Sequence, residues 1–167
     1  AHATGEKIRP VGSALSPNGI GFSDNNLLSI AAVDYIEVDT QRKTVTCGGG
    51  ALVRDVLKAL SKHGLTLENF SSIQEQQIAG WTQVAAHGTG CSLPTVDEMI
   101  VKMKLATPEA GILTLSNLQN PELFRFAKVG LGSLGVVTEL TLSCTPKMML
   151  HEHTSVLAVG PAVHREH

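Results

Sequence analysis

His87 and Thr89, with the glycines at 88 and 90, close a run that begins at Gln77 and holds only small residues at 79, 80, 85, 86, 88 and 90. Trp81 is the one large ring in it. Such a backbone can approach a large ligand closely and offer N–H and C=O groups in place of side chains. Two polar side chains beside two flexible positions suit a cofactor cradle better than a core. His87 has two readings, a core histidine bonded to backbone or a cofactor contact.

Other chemistries find less support. Gly130-x-Gly132-x-x-Gly135 has the letters of a dinucleotide fingerprint, but a β-prone run follows it. That fingerprint needs a helix whose N-terminus faces the pyrophosphate. No Walker loop and no Gly-x-Ser-x-Gly elbow occurs. His151 and His153 fall two apart, but no set of further ligands completes a metal site, so no metal is expected. Glu75, Asp97 and Glu98 have no partner pattern for acid–base work and read as structural or solvated. Cys47, Cys91 and Cys144 lack metal or redox spacing and are expected as buried free thiols in a reducing compartment.

These residues need elements to hold them. The 167-residue chain can bury one sizeable core, and a net charge of −2 gives no basic footprint for nucleic acid. Strands are expected over 7–11, 27–31, 35–39 and 44–47, the last two as a hairpin. Leu52, Val53, Val56, Leu57 and Leu60 make one stripe of a helix over 51–63, stopped by Gly64. A short strand over 65–67 leads to a polar loop, and a short helix begins at Gln76. A second hairpin spans 99–107 and 111–115. A helix over 121–129 has Asn120 as its expected cap. A strand over 136–144 follows, with one more at 154–159. Strands, helices and hairpins intermix, which predicts α+β. Residues 1–7 read as the tail of a helix stopped at Gly5, and the whole as an internal piece of a longer protein.

Taken together, several segments resemble one family. They are Ile8-Arg9-Pro10-Val11-Gly12-Ser13-Ala14-Leu15-Ser16-Pro17-Asn18-Gly19-Ile20-Gly21, the stretch from Gly64 to Ile78, the 77–90 run, Pro121-Glu122-Leu123-Phe124, and the stretch from Gly130 to Leu142. The set is similar to the flavin domain of the vanillyl-alcohol-oxidase/p-cresol-methylhydroxylase superfamily. Within it the set resembles the aldonolactone oxidoreductases, plant-type galactonolactone dehydrogenases among them. The resemblance implies two α+β subdomains with FAD between them: an FAD-binding domain over 1–150 without its first part, and over 151–167 the start of a connection to a substrate or cap domain.

It also implies site residues. Pro10, Val11, Gly12, Ser13, Ala14, Leu15, Ser16 and Pro17 would wrap the pyrophosphate, as a Gly-Ser loop can form an anion-binding nest. Ser71, Ser72 and Ile73, with Gly80, Val84, His87, Gly88 and Thr89, would line the flavin and ribityl side. Val136 and Val137 would meet the adenine end. Many relatives carry a flavin-linked histidine where this chain has Leu15, which implies non-covalent FAD. Family oxidases tend to have glycine at Ser71, and plant-type dehydrogenases alanine, so the larger residue favours a dehydrogenase. Trp81 and Cys91 are further departures from the family pattern. The resemblance implies oxidation of a sugar lactone, of the L-galactono-1,4-lactone to L-ascorbate type, with cytochrome c as acceptor. It implies association with the mitochondrial inner membrane. The alternatives are an oxygen-using oxidase or a role in respiratory complex I assembly. The catalytic acid and base are expected outside this stretch, so none is named.

Overall fold

Two short β-prone stretches open the described chain, residues 5–156 of this computed structural model. β1 (Ile8–Val11) and β2 (Asn26–Ser29) pair in parallel, with Ile8 beside Asn26 and Val11 beside Ser29. Parallel partners cannot be joined by a tight turn. The crossover is loop 12–25, which carries one 3-10 turn at Gly19–Gly21. Residues 12–16 therefore leave the carboxyl end of β1, the side where parallel strands present ligands.

β3 (Ile36–Asp39) and β4 (Thr44–Gly48) form the expected hairpin. Then come α1 (Val53–Ser61), β5 (Leu65–Thr66) and α2 (Ile78–Gln83). β6 (Ile100–Thr107) and β7 (Gly111–Ser116) form the second hairpin, followed by α3 (Pro121–Ala127), β8 (Val136–Ser143) and β9 (Thr145–Pro146). Five of the strands build one antiparallel sheet in the order β3-β4-β8-β6-β7. β5 and β9 make a small separate pair. The mixed order matches the α+β expectation.

One face of the five-stranded sheet is apolar because its inward residues alternate: Val45 and Cys47 on β4, Met103 and Leu105 on β6, Leu140 and Leu142 on β8. The β6–β8 ladder shifts register between Lys104 and Leu105, opposite Thr138. A bulge there turns one residue out of step, so Val137 and Leu140 both reach the core despite odd spacing. Val53, Val56 and Leu60 of α1 and Phe124 and Ala127 of α3 pack on this face.

α1 begins at Val53, two residues later than its stripe predicts. Leu52 is held in an isolated bridge to Gln77, and the first helical amides donate to loop carbonyls, Val53 to Gln76 and Arg54 to Gln74, both at 3.0 Å. These carbonyls replace a side-chain cap, and they fix segment 74–77. Asn120 stands at the start of α3 but does not cap it: its φ is 53° and its amide donates to Thr114 O at 3.3 Å. Residues 154–156 form no strand, and 157–159 lie outside the described residues.

Gly48-Gly49-Gly50 is the junction of the fold. Their amides donate to Tyr35 O, Thr138 O and Val33 O, each at 2.9 Å. A Cβ would lie 2.2 Å from Val33 O at Gly48, 2.3 Å from Val137 O at Gly49 and 2.1 Å from Ile30 O at Gly50. Only glycine allows the backbone to run this close to the connection that leaves β2 and to β8.

Candidate functional site

A cleft opens beside this junction. Loop 12–16 forms one wall, Gly80 and Val84 at α2 another, and Leu131, Gly132 and Gly135 with the start of β8 a third.

Each wall is tied down by polar contacts. Ser13 Oγ donates to Glu75 O at 2.6 Å and fixes the first loop to segment 74–77. Ala14 sits at φ 53°, a left-handed turn that lets neighbouring N–H groups converge. Gln83 is 8% exposed and holds the third wall. Its Nε2 donates to Ala127 O at 2.7 Å and Lys128 O at 3.1 Å, and its Oε1 accepts from Gly130 N at 3.1 Å and Gly132 N at 3.3 Å. Trp81 is fully buried, and its indole Nε1 donates to Ser71 Oγ at 3.1 Å, which donates in turn to Gln76 Oε1 at 2.6 Å.

Of the residues expected to hold a ligand, Pro10 to Ser16, Gly80, Val84, Val136 and Val137 line the cleft. Pro17, Ser71, Ser72, Ile73, His87, Gly88 and Thr89 do not. After Val84 the run leaves the cleft lining. His87 is exposed, with Nδ1 2.8 Å from Gly88 O, so it is neither a core histidine nor part of the cleft lining. Gly88 donates to Asn69 Oδ1 at 3.0 Å, and Asn69 Nδ2 donates to Pro94 O at 2.7 Å. A Cβ at Gly88 would lie 2.4 Å from Asn69 Oδ1, so this glycine serves packing. Ser71 reaches the cleft only through Trp81 and Gln76, which do line it.

The cleft also contains residues that sequence reasoning passed over: Arg9, Gln76, Gln77 and Gln83. The available signal was polar residues flanking a helix whose other positions are apolar. Arg9 is the one charged side chain among the lining residues, and its positive charge favours an anionic ligand. Two buried polar atoms of lining residues, Arg9 Nε and Gln77 Oε1, have no partner among the described residues.

Away from the cleft, on the other face of the sheet, Glu139 Oε2 accepts from Lys104 Nζ at 2.8 Å and from Tyr35 Oη at 2.5 Å. Burial pushes the Glu139 carboxyl up, but those hydrogen bonds and the charges of Lys104 and Lys102 outweigh it and leave the carboxyl below its usual range. Burial, with the hydrogen bond to Glu139 and its charge, pushes the Tyr35 hydroxyl up to about 12. Burial likewise pushes the Cys47 thiol up to about 12 and that of Cys144 to about 11. Cys91 corrects the expectation of three buried thiols, because it is exposed. No group of three or more His, Cys, Asp and Glu side chains gathers among the described residues.

A backbone-lined cleft between two sheets, with one cation and a left-handed loop, defines the class. The chain belongs to the FAD binding domain family, which matches residues 1–116. It is 50% identical over 157 residues to the mitochondrial L-galactono-1,4-lactone dehydrogenase of Brassica oleracea, covering 93% of this chain and 26% of that protein. It is 32% identical to the L-gulonolactone oxidase of Bos taurus, covering 92% of this chain and 35% of the oxidase. The chain thus spans about a quarter to a third of the length of these relatives. Its fold superposes on 6-hydroxy-D-nicotine oxidase from Arthrobacter nicotinovorans with a TM-score of 0.79 at 22% identity, over 86% of this chain and 32% of the other.

The residues present fit FAD. Arg9 brings a positive charge to the cleft, beside the backbone of loop 12–16 with its left-handed turn at Ala14. A Cβ at Gly80 would meet nothing within 4 Å, so this glycine leaves cleft space free.

Proposed function

We propose that the complete protein is an FAD-dependent aldonolactone dehydrogenase. Its substrate is a sugar 1,4-lactone of the L-galactono-1,4-lactone type, oxidised on the way to L-ascorbate, and its electron acceptor is cytochrome c. Residues 1–150 supply the cofactor domain, and 151–167 begin the connection to a substrate domain. The single observation behind this reading is the cleft, whose backbone loop, lone cation and free glycine side match a long anionic cofactor.

Loop 12–16 with Arg9 holds the pyrophosphate, α2 and its flanks the flavin side, and Val136 and Val137 the adenine end. Leu15 is 41% exposed at the cleft and has no nucleophilic nitrogen, so the cofactor is held without a covalent bond. When bound, FAD supplies the electron-accepting chemistry. This domain binds and orients it, and the acid and base that act on the lactone lie outside the stretch. Support for a dehydrogenase comes from the plant relatives, which are named dehydrogenases. The site of action is the mitochondrion, in keeping with the names of plant relatives, and within it the inner membrane.

A second reading, an oxygen-using oxidase, is favoured by the bovine relative. A third is participation in respiratory complex I assembly. The test takes the complete protein, reduces it with L-galactono-1,4-lactone, and mixes it separately with oxygen and ferricytochrome c. Fast reoxidation by cytochrome c and slow reoxidation by oxygen are expected. Fast reoxidation by oxygen would sink the dehydrogenase reading, and a protein without flavin would favour the assembly role.

A further inference from the structure

Five residues other than glycine hold a positive φ among the described residues: Ala14, Lys43, Ala85, Asn120 and Leu131. Leu131, at 52°, is the one with a branched apolar side chain. A bulky side chain fits left-handed backbone poorly, whereas glycine and asparagine enter it at less cost.

The turn around Leu131 explains the φ but not the residue. Ser133 N donates to Gly130 O at 2.9 Å across Leu131 and Gly132, whose φ values are 52° and 75°. Positive φ at both central positions marks the mirror-image type I turn, whose preferred pair is Asn-Gly. Gly132 meets that preference, and a Cβ there would lie 3.1 Å from Pro10 Cγ. Gln83 Oε1 fixes the turn through the amides of Gly130 and Gly132. None of this uses the leucine side chain. The core does not use it either, because Leu131 is 49% exposed and stands apart from the residues packed there. A half-exposed leucine is ordinary by itself. One that burdens its backbone and stands on the wall of a cleft serves what the cleft holds.

We infer that Leu131 is a cofactor-contact residue whose side chain packs against the adenine half of FAD. The inference rests on the FAD reading of the cleft, with Val136 and Val137 at the adenine end. Leu131 shares its wall with the start of β8, and Pro10 beside Gly132 adds a second apolar surface there. An apolar side chain gains by covering a flat base and gains nothing from a phosphate. The leucine is then covered on cofactor binding rather than by the fold.

The test replaces the leucine by the residue that the turn prefers. Leu131→Asn suits the backbone and removes the apolar contact. In the complete protein, the deflavinated variant should melt at the wild-type temperature or above. About half of the leucine surface remains to be covered, so its loss should raise the Kd for FAD, read by fluorescence titration, about three- to tenfold. The Kd for FMN, which lacks the adenine half, should stay at the wild-type value. Equal FAD affinity in wild type and variant would overturn the inference and leave the cofactor reading intact. An equal loss for FAD and FMN would place the effect in the shape of the wall and also overturn it. Deflavinated proteins that melt lower with both Leu131→Asn and Leu131→Gly would assign the side chain to the fold, with the same result. A wild-type protein that binds no FAD would overturn both readings.

Discussion

Glu139 shows how one side chain's surroundings become a pH dependence. Its carboxyl is only 13% exposed, accepts from Lys104 and Tyr35, and titrates below the usual carboxylate range. A depressed carboxyl adds stability above its unfolded pKa of about 4.3, and that stability is lost as pH falls through the folded value. Tyr35 behaves oppositely: its contribution is complete below about 10 and fades as pH rises through about 12. Lys104 is 40% exposed, so solvent screens the pair and its worth is about 1 kcal/mol or less. Glu139→Gln keeps an acceptor and removes the charge. Urea unfolding at neutral pH should show the variant less stable by about that amount. The gap should close as the pH is lowered through the carboxylate range. A gap that persists in acid would mean that lost packing, rather than lost charge, sets the cost. Since none of the three residues lines the cleft, FAD affinity should not follow this change.

Among the elements, α2 couples the cleft's walls, and Gln83 is its anchor. Replacing it by Leu deletes four hydrogen bonds and strands the amides of Gly130 and Gly132 and the carbonyls of Ala127 and Lys128. Buried unpaired groups of this kind cost about 1–3 kcal/mol each, less where water can reach them. A loss of about 2–4 kcal/mol is expected for Gln83→Leu. It should bring weaker FAD binding and faster amide exchange over 129–135. Unchanged exchange there would show that the loop holds itself.

Most elements were legible before the structure, because β alternation and the α1 stripe are local patterns. So was the loop over 12–21, from its Gly, Pro and Asn residues; its part in holding a cofactor came only from the family resemblance. The Gln83 clamp was not: its partners lie 44 to 49 residues away, and a lone glutamine in a small-residue run has no period to mark it. The 77–90 run has two uses that its residue types do not separate. Its small residues serve the cleft as far as Val84, and at Gly88 they serve packing against Asn69. Composition cannot separate those two uses.

At the scale of the whole molecule, the β1–β2 pair and the five-stranded sheet meet at one seam, and the cleft takes its shape from how they meet. Gly50 donates to Val33 O in the connection from the β1–β2 pair, while Gly49 donates to Thr138 O in the five-stranded sheet. Ala79 N donates to Gly49 O at 3.0 Å, which brings α2 to the same seam. A methyl at Gly50 would sit 2.1 Å from Ile30 O and 2.9 Å from the Ala31 Cα, both backbone atoms that no side-chain rotation can move. Gly50→Ala must therefore push the connection that leaves β2 away from the large sheet. A cost above about 3 kcal/mol is expected, as for other severe backbone clashes. Gly80 is the counterpart on the cleft side, where an added Cβ meets nothing within 4 Å. Alanine is the better helix former by about 1 kcal/mol, so Gly80→Ala should leave the deflavinated melting temperature equal or higher. The same methyl occupies cleft volume, so its FAD affinity should fall. Thermal melts and FAD titrations on the two variants of the complete protein separate seam from site. Gly50→Ala should lose stability and cofactor together, and Gly80→Ala cofactor alone. If Gly80→Ala binds FAD as wild type does, the cofactor does not pass over α2 and the cleft assignment must move. If Gly50→Ala melts normally, the seam is not what holds the two sheets in register.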